Sequence, residues 1–314
     1  MSLLLATSFD APELALWQTE LERHLGPERW CVWHPDLGAA EREAVEIAIV
    51  ANPPPGSLQG LPRLRLIQSL WAGVDRLLRD PALPTGVPLA RMVDPAMNEA
   101  MAETALWAVL SLQRGYFDYA EQQREARWLR HGQRRADAFR VLVLGLGEMG
   151  RTVAGRLVRN GYRVAGWSRR PAALPGVACY AGPEGLEQAL AEAEVVVNLL
   201  PLTPATEGLF NARTFTRMRE GSSLVNLARG SHVVEADLLV ALEEGRLHRA
   251  VLDVFAREPL PADSLLWSHP RVTVLPHVAA QTDPVTAARI AAANVRALRA
   301  GQALSHLVDA ARGY

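Results

Sequence analysis

The chain has 314 residues, 49% of them apolar and 21% charged, with a formal net charge of -1. That length suits two domains of roughly 150 residues, each able to bury its own core. The balanced charge leaves no basic excess to attract nucleic acid or an anionic membrane, and no run reaches the roughly 20 apolar residues of a membrane span.

The first run, "SLLLATS", has no basic region before it, and the acids Asp10 and Glu13 follow. It reads as a strand and not as a signal peptide, which makes a cytoplasmic protein the expectation. The helical "APELALWQTELERHL" comes next, then the β-like runs "RWCVWH", "AVEIAIV", "LRLIQSL" and "VPLARMV". Alternation of this kind implies a parallel sheet covered by helices, a flavodoxin-like unit. Two long helices are expected over 96–114 and 116–130, with "RHGQRRADA" as a connector. A second alternation follows through "FRVLVLG", "YRVAGWS", "EVVVNLLP", "SSLVNLA", "HRAVLDVF" and "RVTVLPHV". The alanine-rich "DPVTAARIAAANVRALRAG" predicts one helix returning to the first domain. The expectation is an α/β protein of two doubly wound parallel-sheet domains with a cleft between them. Residues 1–93 with 283–314 form the substrate domain, and residues 94–282 the Rossmann dinucleotide-binding domain with its long helices.

"VLVLGLGEMG" places Gly145, Gly147 and Gly150 in G-x-G-x-x-G register between a strand and a helix starting near Met149. The first glycine makes the tight turn, the second admits a pyrophosphate and the third lets helix pack on strand. The next strand ends at Ser168, Arg169 and Arg170, where an NAD-binding domain commonly has an acid. Guanidinium groups suit a 2′-phosphate, so NADP is the expected cofactor, with NAD at lower preference.

Arg229, Glu258 and His277 each stand just beyond a buried-looking strand, where open parallel sheets bind ligands. Reducing a 2-keto acid requires a cation for its carboxylate and a proton for its oxygen. Arg229 has the planar fork for the first task, and His277, kept protonated by Glu258, suits the second. In the first domain the turn in "IQSLWAGVDRLL" offers N–H groups around Ala72 to Val74, an anion site that would grip the carboxylate opposite Arg229. An ordinary βα turn explains that stretch equally well. Cys31 and Cys179 have no metal-site spacing and read as reduced thiols.

"LGLGEMG", "NLLPLTPAT", "LVNLARGSHVVEADLLVAL", "LDVFAREPLP", "LPHVAAQT" and the terminal "ARGY" resemble the D-2-hydroxyacid dehydrogenase family, in particular its glyoxylate/hydroxypyruvate reductase A branch. The resemblance implies reduction of glyoxylate to glycolate and of hydroxypyruvate to D-glycerate, preferably with NADPH. It implies substrate binding by Arg229, acid/base action by His277 paired with Glu258, and a homodimer built on the cofactor domain. It also implies Asp253 facing the nicotinamide carboxamide, with Met149, Pro201 and Leu227 beside the cofactor. The substrate turn departs from the family, which often has a small residue at Trp71. That indole either narrows the pocket formed with Ala72 and Gly73 or points into the core. All 33 basic residues are arginine. This excludes the β-hydroxyacid dehydrogenases and short-chain reductases, which rely on a lysine, while Glu258 stands where formate dehydrogenase relatives have Gln. A reductase of bulkier 2-keto acids and a dinucleotide-binding regulator with little turnover stay open.

Overall fold

The computed structural model describes residues 2–309, so the "ARGY" at 311–314 lies outside the described residues. Two compact units result, one of residues 2–96 with 282–309 and one of residues 97–281.

In chain order the first elements are β1 (Ser2–Thr7), α1 (Ala11–Leu25), β2 (Trp30–Val32), α2 (Ala39–Ala44), β3 (Val45–Ala51), β4 (Leu66–Ser69), α3 (Asp75–Leu78) and β5 (Leu89–Ala90). They continue with α4 (Pro95–Arg114), α5 (Tyr116–Arg124), β6 (Arg140–Leu144), α6 (Glu148–Arg159), β7 (Arg163–Ser168), β8 (Val177–Ala181) and α7 (Gly182–Glu192). The last are β9 (Val195–Asn198), α8 (Ala212–Arg217), β10 (Ser222–Asn226), α9 (Glu235–Glu243), β11 (Leu247–Leu252), β12 (Val272–Val274) and α10 (Pro284–Arg299).

The first unit holds a parallel sheet in the order β2-β1-β3-β4-β5, the flavodoxin-like arrangement. Strand β3, "VEIAIVA", is buried at every residue, as a strand covered on both faces must be. Helix α1 starts where the Asp10 side chain accepts the Glu13 N–H at 2.9 Å, and it stops at Gly26, whose φ of 79° few other residues adopt. Helix α10 buries Ala287, Ala288, Ala291 and Ala292, and its Asn294 donates to Gln68 of β4 at 2.8 Å. The unit boundaries fall at 96/97 and 281/282, slightly away from the expected 93/94 and 282/283. Asp94 explains the first shift, because one carboxylate oxygen accepts the Ala96 N–H and the other the Thr286 hydroxyl, tying this stretch to α10.

The second unit holds a seven-stranded parallel sheet in the order β12-β11-β10-β9-β6-β7-β8. Counted within the unit this is the doubly wound order 3-2-1-4-5-6 with a seventh strand added, and the direction reverses between β6 and β9. The alternation read from sequence lacks β8, an edge strand whose five residues are all partly or fully exposed. Helix α5 is also shorter than expected, ending at Arg124 instead of residue 130. Ala126 takes a φ of 52°, and the N–H groups of Ala126 and Arg127 bond back to the Gln123 and Gln122 carbonyls. That is the helix stop glycine usually provides, made here by an alanine. Among the described residues no helix is long and apolar enough to cross a membrane.

Candidate active site

The glycine turn joins β6 to α6, and each glycine is required for a different reason. Gly145 has a φ of 94°, and a Cβ on it would lie 2.8 Å from the Leu199 carbonyl oxygen. A Cβ on Gly150 would collide with the Gly145 carbonyl oxygen, so the turn closes only on glycine. Gly147 is the opposite case: a Cβ there would meet nothing within 4 Å, and no side chain caps the helix that begins after it. An open helix N-terminus of this kind suits a phosphate. Leu146 is buried between these glycines because Gly166 of β7 leaves room for it; a Cβ on Gly166 would lie 2.7 Å from the Leu146 side chain. Met149 sits in the first turn of α6, half-buried against the core.

Beyond β7, the Ser168 hydroxyl donates to the Arg170 carbonyl at 2.7 Å and shapes the turn. Arg169 and Arg170 are exposed there. Leu227 buries its side chain in the core and donates its N–H to the Asn198 carbonyl at 3.2 Å.

Arg229, Glu258 and His277 come together in the second unit. His277 Nδ1 and Glu258 Oε2 lie 2.8 Å apart, and Glu258 Oε1 accepts the Phe255 N–H at 3.0 Å. The His277 side chain remains 53% exposed. Its backbone is left-handed, with a φ of 55°, a conformation costing on the order of 1–3 kcal/mol for a residue with a side chain. Asp253 holds that turn. Its carbonyl accepts the His277 N–H at 2.9 Å, and its two carboxylate oxygens accept the Val278 and Ala279 N–H groups at 2.7 and 3.0 Å. The family resemblance places Asp253 at the cofactor, and nothing in the local sequence announces this second task. Gly230, directly after Arg229, was also missed; a Cβ there would collide with the Phe255 carbonyl, so glycine brings the Arg229 loop against the loop leading to Glu258.

The charges are mutually tuned. The hydrogen bond that His277 donates to Glu258 raises the His277 pKa above its ordinary value, outweighing burial and the Arg229 charge, which lower it. Burial pushes the Glu258 carboxyl up, but the bonds from His277 and the Phe255 N–H, with the His277 and Arg229 charges, bring it below the usual carboxylate range. Burial raises the Asp253 pKa, and the two backbone N–H bonds only partly offset that. The pair thus favours an imidazolium beside a carboxylate, with Nδ1 engaged by Glu258.

In the first unit, Trp71 lies in the turn after β4 and is half-buried. Its ring meets Phe9 and Trp17 edge-on, at 5.9 and 6.3 Å, so the indole belongs to an aromatic cluster. The Trp71 N–H is taken by Ser69 Oγ. The N–H groups of Ala72, Gly73 and Val74 form no hydrogen bond among the described residues, which suits an anion.

A doubly wound sheet, a glycine turn and a hydrogen-bonded Glu–His pair beside an arginine are features of a nucleotide-dependent dehydrogenase. Residues 106–279 match the family model described as D-isomer specific 2-hydroxyacid dehydrogenase, NAD binding domain, and the chain belongs to that family. Glyoxylate/hydroxypyruvate reductase A of Serratia proteamaculans is 40% identical, over 98% of this chain and 97% of its own. A D-isomer specific 2-hydroxyacid dehydrogenase of Xanthobacter autotrophicus, solved with NADPH and MES, superposes with a TM-score of 0.94 at 39% identity, covering 100% of this chain and 99% of its own. The NADPH-dependent glyoxylate/hydroxypyruvate reductase of Sinorhizobium meliloti, solved with NADP and sulfate, gives 0.92 at 32% identity with both chains fully covered.

Proposed function

We propose that this chain reduces small 2-keto acids with NADPH, converting glyoxylate to glycolate and hydroxypyruvate to D-glycerate. One observation carries the reading: a hydrogen-bonded Glu258–His277 pair, under the charge of Arg229, in a unit built on a glycine turn. The names of the relatives and the NADP or NADPH held by two solved neighbours support it.

NADPH, when bound, supplies the hydride that the keto carbon takes up. Gly145, Gly147, Met149 and Gly150 would hold its diphosphate, Ser168, Arg169 and Arg170 its 2′-phosphate, and Pro201, Leu227 and Asp253 would lie toward the nicotinamide. Arg229 binds the substrate carboxylate through its planar fork and polarises the keto oxygen. His277 Nε2 donates the proton that oxygen needs, while Glu258 fixes the ring and favours the charged form. Asp253 keeps the His277 turn in place.

The pH dependence follows from the shifts. A raised His277 pKa keeps the proton donor charged below it, so the reduction rate falls as pH rises through that pKa. Glu258→Gln removes the largest raising influence, and the alkaline limb of kcat is expected to move to lower pH. A limb that stays in place contradicts the pairing.

For the cofactor, kcat/KM is expected to favour NADPH over NADH. The double change Arg169→Ala with Arg170→Ala should lower kcat/KM for NADPH about tenfold, the lower end for charge-assisted bonds at an exposed site, and leave NADH nearly unaffected. Equal kcat/KM for the two cofactors in the unaltered protein would sink this assignment.

The second unit exposes Trp107, Leu110 and Tyr116 on α4 and α5, and Trp128 just beyond is 95% exposed. Apolar surface of that extent supports a homodimer through these helices.

A further inference from the structure

Asn198 and Asn226 end the adjacent strands β9 and β10 and stand in register with each other. Both are fully buried, as is His232, three residues after Arg229. Polar groups this deep must satisfy one another, and here the backbone orients them. Asn198 Oδ1 accepts the Leu200 N–H at 3.2 Å, and Asn226 Oδ1 accepts the Ala228 N–H at 3.3 Å. Since an N–H cannot accept, neither amide can be flipped.

The remaining protons follow in order. Asn198 Nδ2 donates to Asn226 Oδ1 at 2.9 Å and to His232 Nδ1 at 3.0 Å. His232 Nδ1 is thus the acceptor and its proton sits on Nε2, which donates to the Pro201 carbonyl at 3.3 Å. Asn226 Nδ2 donates to the Arg229 carbonyl at 2.9 Å. A continuous chain of hydrogen bonds therefore joins the Pro201 carbonyl to the Arg229 carbonyl through three buried side chains.

We propose that Asn226, backed by Asn198 and His232, is a positioning residue that sets Arg229 against the Pro201 segment. The arginine expected to bind substrate and the segment expected to line the cofactor then keep one arrangement. The proposal rests on the reading of Arg229 as the substrate arginine. It assigns a task to three side chains that the acid/base set does not use.

The test compares variants bound to NADP, using oxamate as an unreactive 2-keto acid analogue. Asn226→Asp keeps the shape but replaces the donor facing the Arg229 carbonyl with an acceptor. Oxamate affinity should fall tenfold or more, with NADPH affinity within twofold of the parent. Should Asn226→Asp fold poorly, a second pair decides. His232→Asn keeps an acceptor near the Nδ1 position and should hold KM for glyoxylate near the parent value. His232→Gln, with its polar group at the Nε2 end, should raise KM without a matching loss of kcat. Unchanged oxamate affinity in Asn226→Asp, or equal weakening of oxamate and NADPH in every variant, would overturn the proposal. If the parent bound no oxamate, the reading of Arg229 would fail instead. Amide exchange across residues 227–230 would still decide the positioning: faster in Asn226→Asp if the network holds this loop, unchanged if it does not.

Discussion

Replacing His277 with alanine is expected to lower kcat by about 10²–10⁴-fold, the range lost when a positioned general acid is removed. The size follows from what else in the site can give a proton. Glu258 is held below the usual carboxylate range and is ionised at neutral pH, so it cannot substitute. Asp253 is buried with both carboxylate oxygens engaged by backbone N–H groups. Alanine at a φ of 55° also carries a backbone cost, which would blur the result. Asn tolerates the left-handed region, so His277→Asn isolates the proton. Both variants should lose turnover, and the asparagine one should keep the parent melting temperature. Near-normal kcat in His277→Asn would remove the proton donor from this account.

Arg229→Ala is expected to lower kcat by about 10²–10³-fold and to raise KM for the keto acid as well, because the guanidinium acts on the ground-state carboxylate and on the developing oxyanion. Lysine should restore little, since a point charge does not reproduce a two-pronged fork. The variant has a second signature. The Arg229 charge lowers the His277 pKa, so its removal should move the alkaline limb of the residual rate to higher pH, opposite to the shift from Glu258→Gln. A KM increase with unchanged kcat would mean that Arg229 holds substrate without assisting the reaction.

How much of this was legible in the chain depends on how local each signal is. The glycine register, the five strands of the first sheet and the turns carrying Arg229, Glu258 and His277 are written in contiguous residues, and the strand orders agree with two doubly wound sheets. The end of α5 was not legible, because Ala126 does what a glycine or proline usually announces. Strand β8 was missed because an edge strand with no fully buried residue has no apolar run to give it away. The duties of Asp253, Gly230 and the Asn198–Asn226–His232 network depend on partners tens of residues away. A buried asparagine at a strand end looks, in sequence, like any turn residue. Gly230 offered one weak signal, its place right after a candidate arginine, but only the nearby Phe255 carbonyl explains why it must be glycine.

The central claim is turnover of a small 2-keto acid with NADPH, and the most direct measurement follows NADPH consumption and glycolate formation together in the purified chain supplied with glyoxylate. The account predicts saturable NADPH consumption, matched one-to-one by glycolate and lowered about a hundredfold or more in His277→Asn. Saturable NADPH binding without turnover of glyoxylate, hydroxypyruvate or any bulkier 2-keto acid would contradict it, and would make the chain a dinucleotide-binding protein instead of a reductase.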